Sequence, residues 1–382
     1  MMNINDRLKW VYTRAVWALT GLANKRVVFI SFAGNFYSDN PKAISERLHE
    51  LAPDLEIVWI STHETLEGAP DYVRLVNRHN KLGYYRTLAS AKVVVENFGF
   101  GNIPKKSGQV YIQTWHGDRA FKKVLYDSTF VDECFVAESQ PDFCDLAVAG
   151  SDYGERQYRS AFRYSGEVLK VGTPRDDILL HVTDELIRDK MKRIGIDETC
   201  RYLLYAPTLR RANQSSDVKQ KIQGIDIPET LGRLKAQYGG EWKCLLRAHP
   251  SVSGLTGDGV HDQKVVDVSK YPDMVDLMIV ADALITDYSS CAGDYALLRR
   301  PVFLFQDDIE EYLKKDRTFY FEMSDSPYLI AHSQAELNEI IESTTLQATA
   351  DNCDEILKFY GTNECGDAAG AVAKRIIEYC NG

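Results

Sequence analysis

Residues 26–50 read RVVFISFAGNFYSDNPKAISERLHE: a β-branched apolar run, a polar loop, then a helical pattern. That succession is one strand–loop–helix unit, and it recurs along the chain. LEIVWI (55–60), AKVVVE (91–96), QVYIQTW (109–115), AVAG (147–150) and VLKVGTP (168–174) continue the series. Strands this uniformly apolar, separated by helices, predict a parallel sheet covered on both faces. The second half repeats the pattern with YLLYAP (202–207), WKCLLRAHP (242–250), KVVDV (264–268), ALITDY (283–288) and PVFLF (301–305). The expected fold class is α/β, with two tandem doubly wound, Rossmann-like domains spanning 27–178 and 179–382, after a helical segment at 1–26. A chain of 382 residues suits two cores. Ligands are expected at the carboxyl ends of the strands, facing the cleft.

A net charge of −10 opposes a phosphate backbone, so a general nucleic-acid binder is excluded. The eight cysteines form no CxxC pair and no metal-ligand spacing, which reads as reduced thiols in a cytoplasmic protein. There is no apolar run of about 18 residues and no signal-peptide pattern. In residues 6–26, Leu8, Val11, Tyr12, Ala15, Val16, Leu19 and Leu22 recur at helical spacing. Arg7, Lys9, Arg14, Lys25 and Arg26 add positive charge, and Trp10 and Trp17 add indoles. This amphipathic helix fits the interface of a membrane or, equally, the surface of the first domain.

Polar residues crowd at four strand ends. In QTWHGD (113–118), His116 enters a turn that Gly117 permits. It is placed to act as a base toward a hydroxyl or to serve as a core histidine. In LLRAHP (245–250), Arg247 and His249 share a strand face at i and i+2 and make a phosphate grip, unless the arginine pairs with a carboxylate. In ITDYSSCAGDYALL (285–298), Thr286, Asp287, Ser289 and Ser290 precede a helix, which suits a diphosphate or ordinary capping. In YAPTLRR (205–211), Thr208, Arg210 and Arg211 form a basic loop. P-loop, zincin, serine-hydrolase and dinucleotide motifs are absent from the sequence.

In this order, QTWHGDRAFKK, AGSDYGERQY, VGTPRDDIL, LYAPTLRR, RAHP and ITDYSSCAGDYALLRRPVFLF resemble the CDP-glycerol glycerophosphotransferases of teichoic-acid and capsule synthesis. The resemblance runs from SFAGNFYSDNPKAI at residue 31 to DRTFYFEM at residue 316. It implies a GT-B architecture of two facing Rossmann-like domains, with a CDP-glycerol donor on the second. The acceptor over the first would be a lipid-linked saccharide or poly(glycerol phosphate). It also implies a peripheral location at the inner face of the cell membrane. His116 then looks like the catalytic histidine, with His249 as its counterpart on the leaving group. Gly117, Thr208, Arg210, Arg247, Thr286, Asp287, Ser289 and Ser290 look like substrate contacts. No tightly bound cofactor and no metal site are expected; Mg²⁺ accompanying the donor stays open.

The sequence departs from the family pattern in two places. Asp118-Arg119-Ala120-Phe121 stand where a Thr-Pro step often precedes the lysines, which puts acceptor contacts in doubt. Asp176 stands where Asn is expected. The chain also begins almost directly with its first α/β domain, and this length suits either a transferase adding one or a few units or a compact polymerase. A CDP-ribitol or other nucleotide-dependent GT-B transferase shares the expected fold. A non-catalytic module on the same scaffold would lack the polar strand ends.

Overall fold

The structure is a computed structural model that describes residues 4–98, 105–128, 144–208, 224–248 and 264–382, with backbone only for 4–10. Two parallel sheets are the frame. The first holds β1 (Ala23–Ile30), β2 (Glu56–Ser61), β3 (Arg74–Asn77), β4 (Ala91–Glu96), β5 (Val110–Gln113), β6 (Leu146–Ala149) and β7 (Glu167–Lys170) in the order β3-β2-β1-β4-β5-β6-β7. The second holds β8 (Arg201–Ala206), β9 (Trp242–Leu246), β10 (Val265–Asp267), β11 (Ala283–Thr286), β12 (Val302–Phe305) and β13 (Leu329–Ala331) in the order β10-β9-β8-β11-β12-β13. The order reverses between β1 and β4 in one sheet and between β8 and β11 in the other. Both sheets are doubly wound and Rossmann-like.

The chain divides into two compact units. The first contains residues 1–118, 135–177 and 363–382, and the second contains 119–134 and 178–362. This differs from linear boundaries at 26 and 178 in two places, each with a physical cause. Residues 363–382 belong to the first unit because the helix Ala368–Asn381 packs on the helix Asp39–Leu51. Its Val372, Ala373, Ile376 and Cys380 complete the core around Phe29, Trp59 and Val93. Asp177 receives the Ala368 and Ala369 N–H groups, both at 2.8 Å, and so occupies two orphan donors at that helix start. The segment from Arg119 belongs to the second unit because Phe121 is buried against Phe321 and Tyr328. In addition, Lys123 N donates to Thr318 O (2.9 Å) and Tyr320 N to Phe121 O (2.9 Å).

The N-terminal helix Ile4–Leu19 packs on the helix Lys81–Ser90. Trp17 and Tyr12 meet the Tyr85 ring edge-on at 6.1 and 5.9 Å, and Val16 and Trp17 are buried. Val11 and Leu19 are 57% and 89% exposed, so the packed face does not use all of the apolar residues. Among the described residues, no helix is long and apolar enough to cross a membrane.

Candidate active site

β5 ends at Gln113 and the chain turns at once. Trp115 takes the left-handed backbone of this turn (φ 50°), where the sequence pointed to Gly117, which is buried. The strain is held by side chains: Gln113 Oε1 accepts from Trp115 N (2.9 Å), and Asn40 Nδ2 donates to the Thr114 and Trp115 carbonyls (3.3 and 3.0 Å). His116 is half-buried. Its Nδ1 lies 2.8 Å from the Asn97 carbonyl oxygen. A carbonyl only accepts, so Nδ1 carries a hydrogen, and in the neutral ring the lone pair is then on Nε2.

The orientation of this ring is set by neighbours that follow other strands. Phe32, Phe98 and Trp115 lie 5.5, 5.6 and 4.1 Å from the imidazole, centroid to centroid. Phe32 N donates to Asn97 Oδ1 (2.9 Å), and Asn97 Nδ2 donates to Asp39 Oδ1 (2.9 Å). Phe32 lies just past β1 and Asn97 follows β4, so the histidine is aimed from the point where the strand order reverses. Asp118, two residues on, is buried. Its carboxylate accepts from Gly150 N (2.9 Å) and from the Ser151 hydroxyl (2.6 Å) at the start of the helix Asp152–Ser160.

In the second unit the reversal point lies between β8 and β11. Asp287, buried, accepts from Thr208 N (2.9 Å) and Tyr288 N (2.6 Å), while its own carbonyl accepts from Gln306 Nε2 (2.9 Å). The Thr286 hydroxyl donates to Ala206 O (2.6 Å). These two side chains therefore pin the strand ends together. Ser289 and Ser290 are half-buried. Ser289 Oγ accepts from Cys291 N at 3.4 Å, and the Ser290 side chain makes no capping bond to the short helix Cys291–Tyr295. Capping thus accounts for one serine, weakly, and not for the other.

Arg247 follows β9. Its Nη1 donates to the carbonyls of Val268 and Ser269, both at 2.9 Å, and to that of Tyr271. Among the described residues, no carboxylate pairs with it directly. Burial pushes the guanidinium down from its ordinary range, against the opposing fields of Asp273 and Asp267. A guanidinium in this situation stays charged and is fixed along one edge, with Nε and Nη2 making no hydrogen bond among the described residues. A guanidinium held in this way can receive an oxyanion on its other edge. His249 and Arg210 lie outside the described residues.

Residues 11–380 match the family described as CDP-glycerol:poly(glycerophosphate) glycerophosphotransferase. The chain belongs to this family. Its similarity to the teichoic acid poly(glycerol phosphate) polymerase of Staphylococcus epidermidis is 31% identity over 79% of this chain and 43% of that protein. The teichoic acid glycerol-phosphate transferase of Staphylococcus aureus is 28% identical over 94% of each chain. The chain thus spans less than half the length of the first of these relatives and nearly all of the second. A solved structure of the wall teichoic acid polymerase TagF superposes with a TM-score of 0.84 at 26% identity, covering 100% of this chain and 99% of that one.

For a member of this family, the residues missed by sequence reading are those that hold its motifs in place. Asn97 fixes the histidine tautomer, and Asp118 fastens the WHGD turn to the SDYG helix. Arg119, fully buried, pairs with Asp294 at 2.7 Å. Asp118 and Arg119, in the first departure from the family pattern, are therefore buried side chains with partners. Asp176, the second departure, is fully buried beside Arg175, whose Nε lies 3.6 Å from it. The available signal was a charged residue at each of these places, next to a motif with no obvious solvent face.

Proposed function

We propose that this chain transfers glycerol phosphate from CDP-glycerol to a hydroxyl of a lipid-linked or polymeric acceptor in teichoic-acid synthesis, with release of CMP. The observation that carries the reading is the 2.8 Å contact between His116 Nδ1 and the Asn97 carbonyl oxygen. With its hydrogen directed to the Asn97 carbonyl, the imidazole presents Nε2 as a base. The acceptor oxygen attacks the phosphorus that bears the glycerol unit. Its proton passes to Nε2, a new P–O bond forms, and the P–O bond to CMP breaks with the electron pair leaving on CMP. Arg247 and His249 offset the charge that grows on CMP and on the transferred phosphoryl oxygens. Ser289 and Ser290 donate to the diphosphate, Thr208 and Arg210 supply further contacts to it, and Thr286 and Asp287 hold together the strand ends of β8 and β11.

Acceptor-dependent CMP release, followed with CDP-glycerol, CDP-ribitol and UDP-glucose in parallel, with and without a chelator, tests the reading. Release from CDP-glycerol is the expected result, and the chelator arm reports on Mg²⁺. Turnover with CDP-ribitol or UDP-glucose alone would replace the donor, and no turnover with any donor would remove the enzymatic reading.

The same reading places the enzyme peripherally at the inner face of the cell membrane, where the exposed Val11 and Leu19 of the N-terminal helix enter the lipid interface. The double variant V11E/L19E leaves the buried Val16 and Trp17 in place. It is expected to bind vesicles containing anionic lipid at least about tenfold more weakly, since immersing each aliphatic side chain contributes ~1.5–3 kcal/mol. Cosedimentation equal to wild type would show that this face does not meet the membrane.

A further inference from the structure

Arg119 is a fully buried cation whose partner, Asp294, is buried with it: the side chains are 0% and 3% exposed and the Nη1···Oδ1 distance is 2.7 Å. Taking such a pair out of water is costly, and well-packed apolar residues of similar volume often give equal or greater stability. The pair therefore needs a reason other than stability. Its location supplies one. Asp294 lies in the helix Cys291–Tyr295, directly after Ser289 and Ser290. Ala292 N and Gly293 N donate back to the Ser289 and Ser290 carbonyls at 3.3 and 3.0 Å, so the helix and the serine turn are one rigid piece.

The Arg119 side chain also lies flat on that piece. A Cβ placed on Gly293 would be 2.7 Å from Arg119 Cβ and 2.9 Å from its Cδ, closer than real contacts allow. Gly293 is thus the gap into which the arginine stem fits, and the guanidinium at its far end grips Asp294. The stem fixes the distance of the turn and the ion pair fixes its rotation. Other described residues hold the arginine's own segment: Phe121 is fully buried, and the 121–123 backbone is hydrogen-bonded to 318–320.

We propose that Arg119 is a positioning residue for donor recognition: through Asp294 and Gly293 it sets the place of the Ser289–Ser290 turn that receives the donor diphosphate. This rests on the donor reading given above. Arg119 itself touches neither substrate nor reacting atoms.

The test is CDP binding by calorimetry, alongside KM and kcat for CDP-glycerol, in R119K and in the apolar pair R119M/D294L. The double variant is expected to melt at or above the wild-type temperature. Its affinity for CDP should nevertheless fall about tenfold, the equivalent of one or two misplaced hydrogen bonds. KM for the donor should rise in step while kcat changes little. R119K keeps a cation beside Asp294 and should recover part of the affinity. Wild-type CDP affinity in the folded double variant would make the pair purely structural and overturn the proposal. If the double variant does not fold, R119K decides on the same measurement, an unchanged Kd again being the overturning result. Absence of CDP binding to the wild type would instead remove the donor reading itself.

Discussion

Acceptor-dependent CMP release by H116A is expected to fall by about 10²–10⁴-fold, the usual worth of a positioned general base, with CDP affinity close to wild type. The structural cost of the substitution is smaller and separable. Removing the imidazole leaves the Asn97 carbonyl without this donor, worth ~1–3 kcal/mol if the carbonyl stays buried. That is a loss of stability, seen in unfolding and not in the turnover of folded enzyme. H116N separates the two effects, because its amide N–H can still donate toward Asn97 O (2.8 Å from Nδ1 in the native chain) but offers no base. It should be nearly as inactive as H116A while melting closer to wild type. Substantial activity in H116N would mean that the ring acts by holding the turn, and the proton would have to go elsewhere.

The architecture was legible because its signal is repeated. Apolar strands such as VVFI and ALIT, each ending in a polar loop, can be satisfied only by a sheet covered on both faces. β3 and β13 were not legible. Each is an edge strand, of four and three residues respectively, too short to show a period. The return of Ala368–Asn381 to the first unit was hidden for a different reason. Its apolar face, Val372, Ala373 and Ile376, would fit any sheet surface, and nothing local says which one. At the site, His116, Arg247 and the serine turn stood out because polar residues at the end of an apolar strand are conspicuous. Their supports did not stand out. Asn97, Asp118 and Arg119 matter through partners distant in sequence, such as Asp294, 175 positions from Arg119, and spacing carries no trace of such pairs. Thr286 and Asp287 carry a second role that their types do not announce: beside suiting a phosphate, their side chains hydrogen-bond the end of β8 to that of β11.

Two helical glycines should respond to alanine with opposite signs. Gly232 lies inside the helix Ile227–Tyr238, and a Cβ built there meets nothing within 4 Å. G232A should therefore stabilise the second unit by about 0.5–1 kcal/mol, from helix propensity and a less flexible unfolded chain. Gly154 lies in the first turn of the helix Asp152–Ser160, where the same propensity gain is opposed by geometry: its Cβ would fall 1.9 Å from Asp118 Oδ1. Either the helix shifts or the carboxylate leaves Gly150 N and Ser151 Oγ, and each hydrogen bond to a buried charge contributes ~1.5–3 kcal/mol. The clash outweighs the propensity, so G154A should destabilise the first unit by roughly 2–4 kcal/mol. Asp118 is two residues from His116, so turnover of the folded fraction should fall as well. Urea unfolding of both variants checks the pair. A stabilised G154A would mean that Asp118 can give way at no cost, and the carboxylate would then not be what fastens the WHGD turn to its helix.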